Sequence, residues 1–451
     1  MLSVLTGLSG IAVCLAWILP GAKRNAVFGR LSYPELLVAI GLTLLCLCIV
    51  AITCCPRRRR RSIGFRIAVL VLASLLTLTA WEAASYLLPG NVLKHNPWYV
   101  WASGGTRESN DLMFERPPNL KWKGLSNGDI GEHRDNTYAT LVTFETDFEG
   151  FRNEEDIRQA DVVFIGDSHT EAGNVPIEDT FAQRVRRALS ASVRNLGRAS
   201  YGPSQELIVL KQYGLKCKPR VVVWQICETN DMTEEIWFHS WIKRSRPRMQ
   251  GITDRSRREV WKRRSPTYQL FDWVRRSDPW PLRGTFRDAE NKIHPMCFLY
   301  VTGKEQLPKG NKGWPFIEKS LREGAQVLAD KGIDLIVMCI PMKIRVMGQY
   351  VEPGEMLIAI FKKHLKKMGL DTNTTLSQWD LHKDQTLAWH LEQVCQNLNV
   401  PFIDTTPSLR KNVAEGKLVY HPYETHFSSL GHMVVADLLQ NHPILQGIGP
   451  Q

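Results

Sequence analysis

The sequence predicts an α/β fold: a three-layer α/β/α arrangement around a parallel sheet, preceded by three transmembrane helices. Three observations carry this. From residue 161 onward, apolar runs the length of a buried strand recur at 162–165, 221–226, 335–339 and 400–403. Amphipathic segments lie between them, at 181–189, 205–213, 317–328 and 387–398, and alternation of this kind predicts parallel strands with helices on both faces. The first ninety residues instead hold three apolar stretches of about twenty residues, long enough to cross a hydrocarbon core of roughly 30 Å.

Those stretches are residues 2–22, 36–55 and 67–88, interrupted only by Glu82. The first lacks the basic start and small-residue cleavage site of a signal peptide. Arg57 to Arg61 and Arg66 lie between the second and third stretches, against Lys23, Arg24 and Arg30 between the first two. That bias places the arginine run in the cytoplasm. The expected protein is therefore multi-pass in the inner or plasma membrane, with the lipid bilayer as a partner and its large C-terminal part periplasmic or extracellular. The formal net charge of +12 suggests nucleic acid only until it is partitioned: residues 1–90 carry nine Lys/Arg against two Asp/Glu, and this +7 follows from topology. Nucleic acid is not an expected partner.

Residues 91–155 read as an irregular lead-in with short strands, including Asn96-Pro97-Trp98, Arg116-Pro117-Pro118-Asn119 and Gly150-Phe151-Arg152, packing on the domain that follows. That domain spans 156–445. Its rhythm breaks at about 234–312, a basic stretch rich in Trp and Pro and without a clear strand, read as an insertion capping the sheet. Within it, residues 243–264 hold ten Lys/Arg and two acidic residues beside Trp241 and Trp261. This suits an anionic lipid surface or acidic polysaccharide, and equally a solvated face. Of ten cysteines, five lie in or beside the apolar stretches; the others, Cys217, Cys227, Cys297, Cys339 and Cys395, are odd in number and widely spaced. They show neither a disulfide framework nor a zinc pattern, although one bridge is compatible with export. No metal or cofactor is expected.

The chemistry concentrates at four places. Gly166-Asp167-Ser168 directly follows the run at 162–165, so a strand delivers Ser168 to the top of the sheet as a candidate nucleophile. A serine hydroxyl needs a base to take its proton, and its tetrahedral intermediate needs donors aimed at the oxyanion. Asn195 to Pro203 is a small-residue turn suited to presenting backbone N–H groups. The run at 221–226 leads into Asn230 and Asp231, where Asn230 can donate its amide to an oxyanion or simply turn the chain. Near the C-terminus Glu424 precedes His426 by two residues, just ahead of a helix at 433–439, so one loop can aim a base and its orienting carboxylate together. Twelve histidines are present. His421 and His432 are decoys beside His426, the latter expected to face solvent or the first helical turn.

Taken together, these residues resemble the SGNH or GDSL hydrolases over about 160–440. The four blocks match Gly166-Asp167-Ser168, Asn195 to Pro203, Thr229-Asn230-Asp231 and Glu424-Thr425-His426, in the family's order. The resemblance implies a flavodoxin-like sheet, with Ser168 as nucleophile and oxyanion donor, Asn230 as side-chain donor, His426 as base and Glu424 as the acidic member, and Asp167 and Asp231 in support. Three residues depart from the pattern. Ser200 stands where an oxyanion glycine is usual, with Gly202 two residues later. Glu228 replaces a glycine before the Asn-Asp pair and is expected to crowd or charge the pocket. Glu424 replaces aspartate, and its extra methylene moves the carboxylate by roughly 1.5 Å.

The expected function is a membrane-anchored serine esterase that cleaves, or transfers, ester-linked acyl groups on cell-envelope carbohydrate through an acyl-enzyme on Ser168. Two alternatives stand beside it: an O-acetyltransferase component served by a separate membrane acyl-donor protein, and an inactive envelope-glycan-binding protein, for which Ser200, Glu228 and Glu424 are the grounds.

Overall fold

The computed structural model describes residues 106–126, 130, 138–244, 282–299, 308–368, 370–378 and 386–448, with position 56 and scattered helical positions between 61 and 80. The chain divides into two compact units, residues 1–94 with 257–279 and residues 95–256 with 280–451. The described residues fall almost wholly in the second unit. The apolar stretches at 2–22 and 36–55, most of the arginine run, Asn96-Pro97-Trp98 and all of the basic cluster after Arg244 lie outside them. The stretch at 67–88 is described at seven positions, all helical. Among the described residues no helix is long and apolar enough to cross a membrane.

In the second unit, two short antiparallel pairs come first: β1 (Arg107–Ser109) with β2 (Met113–Glu115), and β3 (Lys121–Ser126) with β4 (Thr140–Glu145). Then follow β5 (Val162–Ile165), α1 (Ser168–Glu171), α2 (Phe181–Leu189), β6 (Val193–Asn195), α3 (Pro203–Val209), β7 (Val221–Cys227) and α4 (Asp231–Lys243). The remainder comprises β8 (Arg283–Arg287), β9 (Ile293–Cys297), α5 (Trp314–Ala329), β10 (Asp334–Ile340), α6 (Lys343–Met347), β11 (Val351–Pro353), α7 (Glu355–Met368), α8 (Leu387–Leu398), β12 (Phe402–Asp404), α9 (Thr406–Ala414), α10 (Ser429–Gln440) and α11 (Pro443–Gln446).

Five strands form one parallel sheet in the order β12-β10-β7-β5-β6. Numbered along the chain this is 2-1-3-4-5, the flavodoxin-like order, whose switch point lies between β5 and β7. The strands read as apolar runs because both faces are covered: every residue of β5 and β7 is buried. On one face Val223 packs with Phe181 and Val185 of α2, Leu409 of α9 and Val435 of α10. On the other, Val222 and Trp224 pack with Leu207 of α3, Leu321 of α5 and Leu391 of α8. These are the three predicted layers.

The stretch 234–312 departs from its sequence reading. It contains β8 and β9, which pair with β11 in a separate antiparallel sheet. No apolar run marks them, because β8 alternates and turns only Gly284 and Phe286 inward. Gly284 is needed where β11 approaches: a Cβ there would lie 2.4 Å from the Glu352 carbonyl oxygen. The predicted helix at 205–213 is also divided, with α3 ending at Val209 and a wider five-residue turn carrying the chain to Gly214.

Candidate active site

Ser168 is delivered by close packing at the end of β5. A Cβ on Gly166 would lie 2.4 Å from Thr170 Oγ1 and 2.5 Å from Gln225 Oε1, so only glycine lets the strand turn this tightly into α1. Asp167 caps that helix, its Oδ1 accepting from the His169 N–H at 2.8 Å. Its other oxygen accepts from Asn230 Nδ2 at 3.1 Å. This bond joins the ends of β5 and β7 across the switch point, and the Asn230 side chain also hydrogen-bonds the Glu234 carboxyl, which burial pushes well above its ordinary range. Burial pushes the Asp167 carboxyl above the usual carboxylate range, against the hydrogen bonds it accepts. Asp231 is fully buried and turns its Oδ2 to the Cys227 N–H at 2.6 Å.

The loop at 419–428 brings in the base. His426 Nε2 lies 2.7 Å from Ser168 Oγ, and His426 Nδ1 lies 2.6 Å from Glu424 Oε1. With Nδ1–H donated to the carboxylate, Nε2 is left to accept the serine proton, the tautomer a general base requires. Glu424 is 2% exposed, so its charge acts in a poorly solvated setting. The longer side chain is accommodated because the loop is anchored. The Lys343 ammonium donates to the carbonyls of His421, Pro422 and Glu424 at 2.7, 2.9 and 3.0 Å, and Tyr420 Oη donates to the Pro341 carbonyl at 2.7 Å. His169 lies beneath, its ring 4.9 Å from that of His426. Burial holds its pKa well below the ordinary histidine value, so it stays neutral and adds no charge against an imidazolium at His426.

The other site residues of the sequence reading are placed as follows. Ser200 is exposed in the left-handed region at φ +63°. Gly202 is committed elsewhere: its N–H points to Gln205 Oε1 at 3.4 Å, capping α3. Glu228 neither crowds nor charges the cleft. It is buried behind it, 2.7 Å from Arg345 Nη1, and accepts from the Met342 N–H at 3.0 Å. Its negative charge is therefore neutralised. Two of the three grounds for an inactive protein, Glu228 and Glu424, thus lose their force. His432 does not face solvent. It is fully buried in α10, with Nδ1 3.4 Å from the Phe181 N–H, and burial pushes its pKa down to about 3. The five cysteines among the described residues are all buried and in no disulfide.

An open cleft of about 240 Å³ beside the triad is lined by Thr229, Thr425, Phe298, Met342, Lys343 and Ile344, among others. Its walls are mixed, with Thr229, Thr425 and Lys343 beside Phe298, Met342 and Ile344. Among the described residues, no group of three or more His, Cys, Asp or Glu could hold a metal ion. Lys343 and Gln225 carry no motif that marks them in the sequence, whereas His169 directly follows Gly166-Asp167-Ser168 and shares its strand-end position. Arg152 was within reach through Gly150-Phe151-Arg152; its guanidinium donates to the Val175 carbonyl at 2.8 Å and to the Glu171 carbonyl at 3.2 Å, bracing the end of α1.

No family model matches the chain, and no curated protein matches it. The structure is similar to that of a catalytic mutant of an acetylxylan esterase from Geobacillus stearothermophilus, at 14% identity over 63% of this chain and 94% of that one, with a TM-score of 0.31. It is also similar to a GDSL-like lipase from Bacteroides thetaiotaomicron, at 11% identity over 62% of this chain and 85% of that one, with a TM-score of 0.28.

Proposed function

We propose that the chain is a membrane-anchored serine esterase of the SGNH type, acting on ester-linked acyl groups of cell-envelope carbohydrate. The observation that carries the catalytic part is the unbroken chain from Ser168 Oγ through His426 to Glu424, with bonds of 2.7 and 2.6 Å. Nucleophile, base and orienting carboxylate stand in the geometry that acyl transfer requires.

In this reading Ser168 Oγ attacks the ester carbonyl carbon while its proton passes to His426 Nε2. The charge on the carbonyl oxygen is met by the Ser168 N–H, the Asn230 side-chain amide and the Ser200 N–H. Gly202 is omitted because its N–H caps α3. The tetrahedral intermediate collapses, His426 returns the proton to the leaving alcohol oxygen, and an acyl-Ser168 remains. Water, deprotonated by His426, then releases the carboxylic acid; a sugar hydroxyl in its place would make the same step a transfer, with a separate membrane protein supplying the acyl group. Anchoring and export rest on the three apolar stretches and the arginine run, and the carbohydrate substrate on that placement at the envelope.

Replacement of Ser168 by Ala in the full chain is expected to abolish hydrolysis of short-chain p-nitrophenyl esters and labelling by a fluorophosphonate probe. Wild-type protein that shows neither would refute the enzyme reading. Polysaccharide acetylation compared between wild-type and deletion cells decides direction: a rise on deletion indicates hydrolysis, a fall indicates transfer.

A further inference from the structure

The lead-in reaches the catalytic machinery through one carboxylate. Glu171 closes α1, three residues after Ser168, and is 2% exposed. Its Oε1 accepts from Arg116 Nε at 2.5 Å and from Arg198 Nη1 at 2.9 Å, and its Oε2 accepts from Arg116 Nη2 at 2.7 Å and from the Ala199 N–H at 3.3 Å. A single side chain thus ties the nucleophile helix to the turn at 198–202 and to Arg116, which directly follows β2.

The same turn is pressed onto α1 at its other end. Asn195 Nδ2 donates to the Thr170 carbonyl at 2.7 Å, and the Arg198 N–H donates to the Gly166 carbonyl at 2.9 Å. A Cβ on Gly197 would lie 2.5 Å from Thr170 Cβ and 2.6 Å from the Glu171 nitrogen. Ser200 follows the residue whose N–H Glu171 holds, with its backbone in the left-handed region.

We propose that Glu171, gripped by the Arg116 fork, is a positioning residue that sets the Ser200 N–H against the oxyanion formed at Ser168. This rests on the esterase reading of the site. The fork matters because a guanidinium holds a carboxylate in one plane through two bonds, whereas an ammonium acts as a point charge. The carboxylate stays charged throughout any practical assay: burial alone would raise its pKa, but the adjacent Arg116 and Arg198 hold it at about 2. It follows that β1 and β2, outside the α/β domain, belong to the functional unit.

The test uses the full chain, with p-nitrophenyl acetate turnover and the rate of fluorophosphonate labelling as readouts. Wild-type protein inactive in both would refute the esterase reading and this inference with it. With active wild type, Glu171→Gln, which keeps the shape and removes the charge, and Arg116→Lys, which keeps the charge and removes the fork, are each expected to lower kcat about 10- to 100-fold. KM should stay within twofold, and labelling should slow in parallel, in protein whose near-ultraviolet circular dichroism matches wild type. A folded variant that retains kcat within threefold of wild type, or whose loss lies in KM, would overturn the proposal. Should Glu171→Gln fail to fold, Arg116→Lys decides alone, since it leaves no buried charge without a partner.

Discussion

Replacing Glu424 by Gln tests whether the acidic member acts through its charge. In the structure its carboxylate lies 2.6 Å from His426 Nδ1 and is almost fully buried. When His426 takes the serine proton it becomes cationic. At an effective dielectric of about 20, opposite charges at this separation attract by about 6 kcal/mol as an upper bound. Glutamine keeps the shape and can still accept the Nδ1–H bond, which returns about 1.5–3 kcal/mol. The difference, about 3–5 kcal/mol, corresponds to a fall in kcat of about 10²- to 10⁴-fold. Glu424→Asp keeps the charge but withdraws it by roughly 1.5 Å, to about 4 Å, where the attraction is about 4 kcal/mol. That variant should lose about 30-fold. The assay is kcat on p-nitrophenyl acetate, with circular dichroism as a control; the loop's anchors at Lys343 are backbone carbonyls, so it should keep its place in both variants. A Glu424→Gln enzyme within threefold of wild type would refute the reasoning, as would a Glu424→Asp enzyme equal to wild type.

Lys343→Met removes the donor shared by three loop carbonyls. Leaving buried acceptors unsatisfied costs about 1–3 kcal/mol each, with some returned by relaxation. Differential scanning calorimetry should show Tm falling by several degrees, together with kcat; an unchanged Tm would show that the loop does not depend on this clamp. Glu206 offers a pH test. Burial pushes its pKa well above the usual value, so the folded state keeps a proton that the unfolded chain releases from about pH 4.5 upward. Stability contributed in this way falls as pH rises from there toward the folded pKa. Urea unfolding of Glu206→Gln should therefore lose less stability than wild type between pH 5 and 7, while Trp224 Nε1 keeps an acceptor at the position now 2.7 Å away. Parallel pH profiles for the two proteins would contradict this.

The sheet was legible because parallel strands buried on both faces must be almost wholly apolar, and β5, β7 and β10 are, apart from Gln225 and the exposed Asp334 at the start of β10. β8 and β9 were not, since the inward positions of β8 are Gly284 and Phe286 and those of β9 are His294, Met296 and Cys297, which together make no apolar run. The helix α7 carries the period plainly in its buried Leu357, Phe361 and Leu365, yet it lies between the strands read at 335–339 and 400–403, beside no motif, and was not read. Within the site, Ser168, Asn230, Glu424 and His426 could be picked out because each sits at a strand end or loop whose local pattern announces it. The charges of Glu228 and Lys343 could not be interpreted from sequence, because their meaning depends on which group lies opposite. Arg345 turns Glu228 from an intruder into half of a buried pair.

The topology explains why the legible residues needed unreadable ones. The order 2-1-3-4-5 sets β5 beside β7, so Asp167 and Asn230, 63 positions apart, meet without help from any third element. The base has no such neighbour. His426 lies 258 positions from Ser168 on a loop outside the sheet, and a loop held only at its ends would carry an entropic spread far larger than a 2.7 Å contact tolerates. Lys343, at the exit of β10, ties that loop to the sheet through its backbone, so its effect does not depend on the identity of the side chains it positions. Glu171 does the corresponding work for the turn bearing Ser200. In both cases the charged group bonds to main-chain atoms of the element it positions, and such bonds leave no mark on the sequence of that element. A four-block pattern therefore marks residues that meet at this site while passing over Lys343 and Glu171, the side chains that tie its loop and its turn to the sheet.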